Sequence, residues 1–294
     1  MSCRYHPRMA PTPQPGIFAA ALAEHVYLEL DARPGSGRED LIRALNAVGE
    51  PMPATGAINV VAGLRPSLWG SDAGDFTEPV TGPDGFTMPA TQHDAWLWLA
   101  GADRTALFDY TRAALGVLDP VVTVATEVAG WVYHHDRDLT GFIDGTENPP
   151  RSLAPSVATR DGTAIALVQQ WRHDTGAFDA LSVAEQELVI GRTKADSVEL
   201  GEDRQPPTSH VSRTVVEEDG EELKIFRRNT AYGTVRDHGT MFVGFCASQH
   251  PLAEMLRRMA GVGDGVRDAL TRYTTPLTGA YYVIPPVETL AAFG

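Results

Sequence analysis

Cysteine is almost missing from this chain: Cys3 and Cys246 are the two among 294 residues. Two thiols build neither a disulfide framework nor an all-thiolate metal site. Such usage fits a reducing compartment, with Cys246 as a small core residue inside an apolar run. Positive charge is also scarce. Twenty-four Lys and Arg face 38 Asp and Glu, giving a net charge of -14 and a pI near 5.0. That balance excludes a non-specific binder of nucleic acid or of an anionic membrane surface. No apolar run is long enough to cross a bilayer, and the first residues show neither a secretory h-region nor twin arginines. The expected location is therefore the cytoplasm. Short-period repeats and low-complexity tracts are absent outside residues 1–16, which hold four prolines and read as a disordered or strapping arm. The remainder is ordinary globular sequence, with 43% hydrophobic residues and mean hydropathy -0.17.

After the arm, two half-patterns follow, at about 17–150 and 151–294. In the first, residues 25–30, 58–64, 95–100 and 121–133 read as strands, the last bent or bulged. Helical spacing runs over 38–48, with Leu41, Ile42, Leu45 and Val48 on one face, and over 103–115, with Asp103 as N-cap and Gly116 as stop. The second half repeats the order loosely. Residues 164–171, 210–217, 223–228, 239–247 and 281–284 read as strands, and 182–190, 251–260 and 266–273 as helices. Ser182 and Glu185 form a capping-box pair. Asp219-Gly220 between two alternating runs is a hairpin turn. Strands mostly follow strands, so the fold class is α+β with antiparallel sheets and peripheral helices, in two similar halves.

The densest local pattern is Gly141-Phe142-Ile143-Asp144-Gly145-Thr146-Glu147-Asn148-Pro149. Glycine permits close backbone approach to a flat ligand, and an acid at the end of a buried segment suits proton transfer. The structural alternative is a tight turn in which Asp144 bonds its own backbone. Among nine histidines, none pairs with another at a helical zinc spacing. His134-His135 reads as a solvated loop, and His93, His173 and His250 as turn or helix-start residues. His210 opens an alternating run after Pro206-Pro207-Thr208-Ser209. A lone imidazole facing a cleft could ligate a metal that brings its other ligands with it, as haem does. Arg227 and Asn229 share a strand face, where the arginine either pairs with a surface acid or stabilises developing negative charge. Gly191-Arg192-Thr193-Lys194 is either a helix stop with solvated basic residues or a site for a carboxylate or phosphate.

Taken in order, these segments resemble the dye-decolorizing peroxidases, a haem-dependent family. The resemblance rests on residues 141–149, Ile190-Gly191-Arg192-Thr193-Lys194, Ser209-His210-Val211-Ser212-Arg213, Lys224-Ile225-Phe226-Arg227 with Tyr232-Gly233-Thr234, and Thr278-Gly279-Ala280-Tyr281-Tyr282. It covers the second half; the first 130 residues fit in pattern and length without a motif. The compact length is similar to the bacterial intracellular branch. The resemblance implies duplicated ferredoxin-like domains and one haem b per chain in the C-terminal half. It implies His210 as proximal iron ligand, Asp268 as the carboxylate on its other nitrogen, and Arg192 at a propionate. Gly145, Thr146 and Glu147 would contact the cofactor. Asp144, Arg227 and Asn229 would line the open face of the iron.

The implied chemistry is reduction of hydrogen peroxide through a ferryl state, followed by one-electron oxidation of bulky organic donors such as dyes and phenolics. Asp144 would shuttle the peroxide proton and Arg227 would stabilise negative charge as the O–O bond breaks. Trp171, Tyr232 and Tyr281 are candidate electron relays, or core aromatics. Glu147, Glu199 and Glu222 are a candidate manganese set, or solvated acids. A haem-handling protein, storing or transferring haem without turnover, is the alternative. The family implies homo-oligomers. Some relatives carry a tail that addresses them to a protein nanocompartment; no such tail is evident, so free cytoplasmic residence is expected.

Overall fold

The structure is a computed structural model that describes residues 11–19, 22–49, 58–134 and 136–293. Cys3, most of the arm and His135 lie outside the described residues. The N-terminal half has six main elements: β1 (Glu24–Ala32), α1 (Arg38–Gly49), β2 (Asn59–Leu64), β3 (Ala95–Gly101), α2 (Arg104–Leu118) and β4 (Val122–Trp131). The C-terminal half adds β5 (Ala164–His173), α3 (Val183–Ile190), α4 (His210–Thr214), β6 (Phe226–Arg227), β7 (Thr230–Gly233), β8 (His238–Cys246), α5 (His250–Met259) and β9 (Ala280–Ile284).

Strand order is β4-β1-β3-β2 in the first half and β9-β5-β8-β7 in the second. With β6 and β7 counted as one broken strand, both halves read 4-1-3-2, the ferredoxin-like order, so the duplication is visible in the pairing itself. The halves also join twice. β2 meets β9 at Leu64 and Val283, and β4 meets β7 at Trp131 and Ala231. With β8 paired along β5, the strands close into a ring. Closure leaves few unpaired strand edges, which removes templates for aggregation.

Side-chain alternation then makes layers. Tyr27, Trp96, Trp98, Phe245 and Tyr282 fill the ring interior. Leu28, Leu30, Leu97 and Leu99 point outward under Leu41, Ile42, Leu45 and Leu107 of α1 and α2. Every residue of β3 is buried because both faces are covered. In the second half, Leu167, Trp171 and Val283 meet Met255 and Leu256 of α5. Each fully buried Leu or Met there contributes roughly 1.5–3 kcal/mol relative to an exposed one. The end of the arm is a strap: buried Gln14 donates to the carbonyls of Ala62 and Pro285 and accepts from Ala62 N, bridging both halves.

Several local expectations hold. Ser182 and Glu185 form the reciprocal capping box. The bend in β4 is a bulge: Glu29 pairs with Thr126 and Leu30 with Val124, leaving Ala125 over. Asp219 and Gly220 both have positive φ, as a two-residue hairpin turn requires, but its arms are two residues each.

Others are corrected. Residues 210–217 are not a strand: 210–214 form α4, because the Ser209 hydroxyl accepts from Ser212 N and caps a helix. The strand expected at 223–228 shrinks to Phe226–Arg227. Residues 266–273 give only a 3-10 turn, Ala269–Arg272, since Gly261, Gly263 and Gly265 all take positive φ just before it. Gly116 does not stop α2, which continues to Leu118.

Candidate active site

A cavity opens between the outer face of the second sheet and the α3–α4–α5 layer. Asp144, Arg192, His210, Arg227 and Asn229 all line it, with Phe242, Met255, Met259 and Leu270 as apolar wall. The residues singled out in sequence therefore converge, although they come from four different segments.

On one side stands His210, the first residue of α4. Its Nδ1–H donates to Asp268 Oδ2 at 2.7 Å. Asp268 is 0% exposed, and its other oxygen accepts from Leu270 N at 2.9 Å, capping the 3-10 turn. A carboxylate on Nδ1 assigns the proton to that nitrogen and leaves the Nε2 lone pair free. Ala269 N also donates to Thr208 O, tying the two loops together. Gly191 is what lets α3 end against α4. It has φ +95, and a Cβ there would lie 2.9 Å from Ser209 Oγ and 3.1 Å from Val211 Cβ. Gly191→Ala is expected to destabilise the fold by about 1–3 kcal/mol and to displace His210. Thermal unfolding and cofactor retention measure the two effects separately.

On the opposite side stand Asp144, Asn229 and Arg227. Asp144 Oδ1 accepts from Gly145 N at 2.6 Å, and Oδ2 accepts from Asn229 Nδ2 at 2.7 Å. Gly141 and Gly145 have φ of +86 and +75, so both glycines of the run serve the turn that presents the acid. Asn229 occupies the break between β6 and β7, where its Oδ1 accepts from Val243 N and replaces a ladder bond. Arg227 is held by its backbone: its N donates to Asn148 Oδ1 at 2.8 Å and its carbonyl accepts from Asn148 Nδ2 at 3.0 Å.

Arg192 lies at the rim, 7% exposed. It donates to the Ser197 carbonyl at 2.8 Å, to Glu199 at 3.1 Å and to Glu147. Thr146 lines the cavity beside Glu147. Glu222 does not join these acids; it pairs with Lys224 at 3.1 Å. Among the described residues no group of three His, Cys, Asp or Glu could hold a metal ion, so the three-carboxylate manganese set is not assembled here. Trp171 lines the cavity, whereas Tyr232 and Tyr281 are buried elsewhere.

Sequence reasoning missed three residues. Asn148 sits inside the run at 141–149 but acts on a backbone 79 residues away. His173, expected at the surface, is buried with its side chain 6% exposed, and its Nδ1 has no hydrogen-bond partner among the described residues. Asp138 lies 3.9 Å from it and accepts from Thr240 Oγ1 at 2.6 Å and Thr140 N at 2.8 Å. Burial alone would raise Asp138, but the His173 ring, the Thr240 hydroxyl and Thr140 hold its carboxyl below the ordinary range.

Residues 135–289 match the family described as Dyp-type peroxidase, C-terminal. This chain belongs to the dye-decolorizing peroxidase family. The dye-decolorizing peroxidase of Mycolicibacterium paratuberculosis is 33% identical, over 95% of this chain and 84% of that one. The dye-decolorizing protein of V. cholerae superposes with TM-score 0.85 at 33% identity, covering 95% and 99% of the two chains. A variant of DypB from Rhodococcus jostii in complex with heme gives TM-score 0.86 at 32% identity, covering 96% and 99%. The protein is thus an oxidoreductase of the dye-decolorizing peroxidase type. Among the described residues no helix is long and apolar enough to cross a membrane.

Proposed function

We propose that the cavity holds haem b, with His210 as the residue that would bind its iron, and that the protein reduces hydrogen peroxide while oxidising organic donors one electron at a time. The observation that carries this reading is the pairing of a carboxylate-backed imidazole on one wall with an oriented acid and an arginine on the other. The residues fit the group. His210 Nε2 is free because Nδ1 is engaged by Asp268. Phe242, Met255, Met259 and Leu270 suit a flat apolar macrocycle, and Arg192, a cation in the cavity lining, would meet a propionate. When bound, the haem supplies the redox iron.

The chain's own groups then divide the work. Asp268 orients His210 and keeps its Nε2 basic. Asp144 takes the proton from the inner oxygen of peroxide and delivers it to the outer one. Asn229 and Gly145 N fix its carboxylate before peroxide arrives, so little reorganisation remains at the moment of reaction. Arg227 provides a fixed cation where negative charge develops. Haem storage or transfer alone would leave Asp144, Asn229 and Arg227 without a task.

The test is an absorption spectrum of the haem-loaded protein before and after one equivalent of hydrogen peroxide. A Soret band that changes on mixing and returns when a dye or phenol is added is expected. A Soret band unmoved by peroxide would favour haem handling, and no haem uptake would remove the assignment of His210.

A further inference from the structure

The interior of the strand ring holds aromatic rings in contact. Tyr27 and Trp98 are stacked with centroids 6.1 Å apart, Trp98 and Trp96 6.2 Å, and Trp96 and Tyr282 6.0 Å. Phe245 packs against both indoles. Arg228 stands 5.1 Å over the Trp98 ring. Its neighbour Arg227 lines the cavity, while Phe226, paired with Phe245, belongs to the ring interior. One strand therefore forms the wall between cavity and stack.

Packing accounts for the rings but not for the polar groups buried with them. His25 is 3% exposed and Glu29 is 5% exposed. Burying an imidazole and an acid costs stability that apolar side chains of the same volume would not. Each is bonded to the proton-bearing atom of one aromatic. Trp98 Nε1–H donates to His25 Nδ1 at 3.0 Å, while His25 Nε2–H donates to the Leu22 carbonyl at 3.0 Å. The two bonds together fix the tautomer, with the His25 lone pair facing the indole. Tyr282 Oη–H donates to Glu29 Oε1 at 2.7 Å.

We propose that the stack is a proton-coupled redox chain that draws oxidising equivalents out of the cavity, from Trp98 through Trp96 to Tyr282, with His25 and Glu29 as proton acceptors. It rests on the haem reading of the cavity, which names the oxidant. In the first step Trp98 gives one electron to the oxidised haem and its Nε1 proton to His25 Nδ1. The products are a neutral indolyl radical, an imidazolium and a cofactor reduced by one electron. In the second step Tyr282 sends one electron back through Trp96 to Trp98, and its hydroxyl proton moves to Glu29. Trp98 recovers its proton from His25, leaving a tyrosyl radical.

The surroundings fit these transfers. The Arg228 cation opposes a positively charged radical on Trp98, so the hole can rest there only once the proton has left. Burial, opposed by the Leu22 bond and helped by the Arg228 charge, brings His25 down to about 4, so it is neutral and able to accept. An oxidised indole is acidic enough to protonate it. Burial raises Glu29, which makes it a stronger base than a solvated carboxylate. Trp96 Nε1 has no partner among the described residues, so Trp96 carries the hole only in transit.

The experiment is freeze-quench electron paramagnetic resonance on the haem-loaded protein, mixed with one equivalent of peroxide and no donor. A tyrosyl signal is expected in the wild type. It should vanish in Tyr282→Phe, which should accumulate a neutral tryptophan radical instead. Glu29→Gln keeps the packing and should likewise stop the hole at Trp98, while Trp98→Phe should show neither radical. The Soret band and its response to peroxide should be unchanged in all three variants, as should far-ultraviolet circular dichroism. Radical spectra identical to wild type in Trp98→Phe and Tyr282→Phe would overturn the chain and leave the haem reading standing. Failure of the wild type to take up haem or react with peroxide would overturn both.

Discussion

Arg227→Leu is expected to slow the reaction with hydrogen peroxide by about 10²–10³-fold, equivalent to about 2.7–4 kcal/mol of lost charge stabilisation. The Soret band before peroxide should be nearly unchanged. The expectation follows from how the residue is held. Asn148 clasps the Arg227 backbone through both its N–H and its carbonyl, so removing the guanidinium leaves the strand in place. Asp144 keeps both of its own donors, Gly145 N and Asn229 Nδ2. The change is therefore confined to a fixed positive charge facing the cavity. Leucine fills similar volume, and its apolar surface cannot compensate the charge that develops as the O–O bond breaks. Stopped-flow absorbance at the Soret band measures the step directly. A peroxide reaction at the wild-type rate, with loss only in donor oxidation, would move Arg227 out of this role.

The parts legible in sequence were those whose cause is local. The glycines around Asp144 marked a segment of close approach or a tight turn, and Gly141 and Gly145 both take the positive φ of a turn. Ser182 three residues before Glu185 announced a cap, and the cap is there. Residues whose role depends on a distant partner were not legible. Asn148 looks like part of a turn until Arg227 is beside it. His173 closes β5 and looks exposed until Asp138 lies beside it. His210 was legible as a chemical group but not in its conformation. His210-Val211-Ser212-Arg213 alternates like a strand, and only the Ser209 hydroxyl, capping Ser212 N, tips it to helix. The first half carries no motif because its contribution is geometric: β1 to β4 close the ring. The alternation in β3 that would have revealed this is hidden, since helices cover the face that would otherwise be polar.

Asp268→Asn should damage the site, though less than His210→Ala, for a reason of proton placement. Asp268 Oδ2 accepts from His210 Nδ1–H while Oδ1 accepts from Leu270 N, and the carboxylate has no exposure to solvent. Asparagine has one acceptor for these two donors. If its oxygen keeps the Leu270 cap, its Nδ2–H₂ faces Nδ1, and His210 must move its proton to Nε2. That is the nitrogen proposed to hold the iron, and a protonated nitrogen cannot ligate. If its oxygen turns to His210 instead, the cap on the 3-10 turn is lost and the ligand loses the negative partner that makes it basic. Either way, haem affinity or turnover should fall by roughly 10–100-fold, and the midpoint potential of the retained haem should rise, because a weaker donor stabilises ferric iron less. His210→Ala removes the proposed ligand outright and should abolish turnover. Haem titration and a spectroelectrochemical midpoint measure the two consequences of Asp268→Asn. An Asp268→Asn protein with wild-type potential and wild-type haem affinity would show that the buried carboxylate serves only to cap the turn.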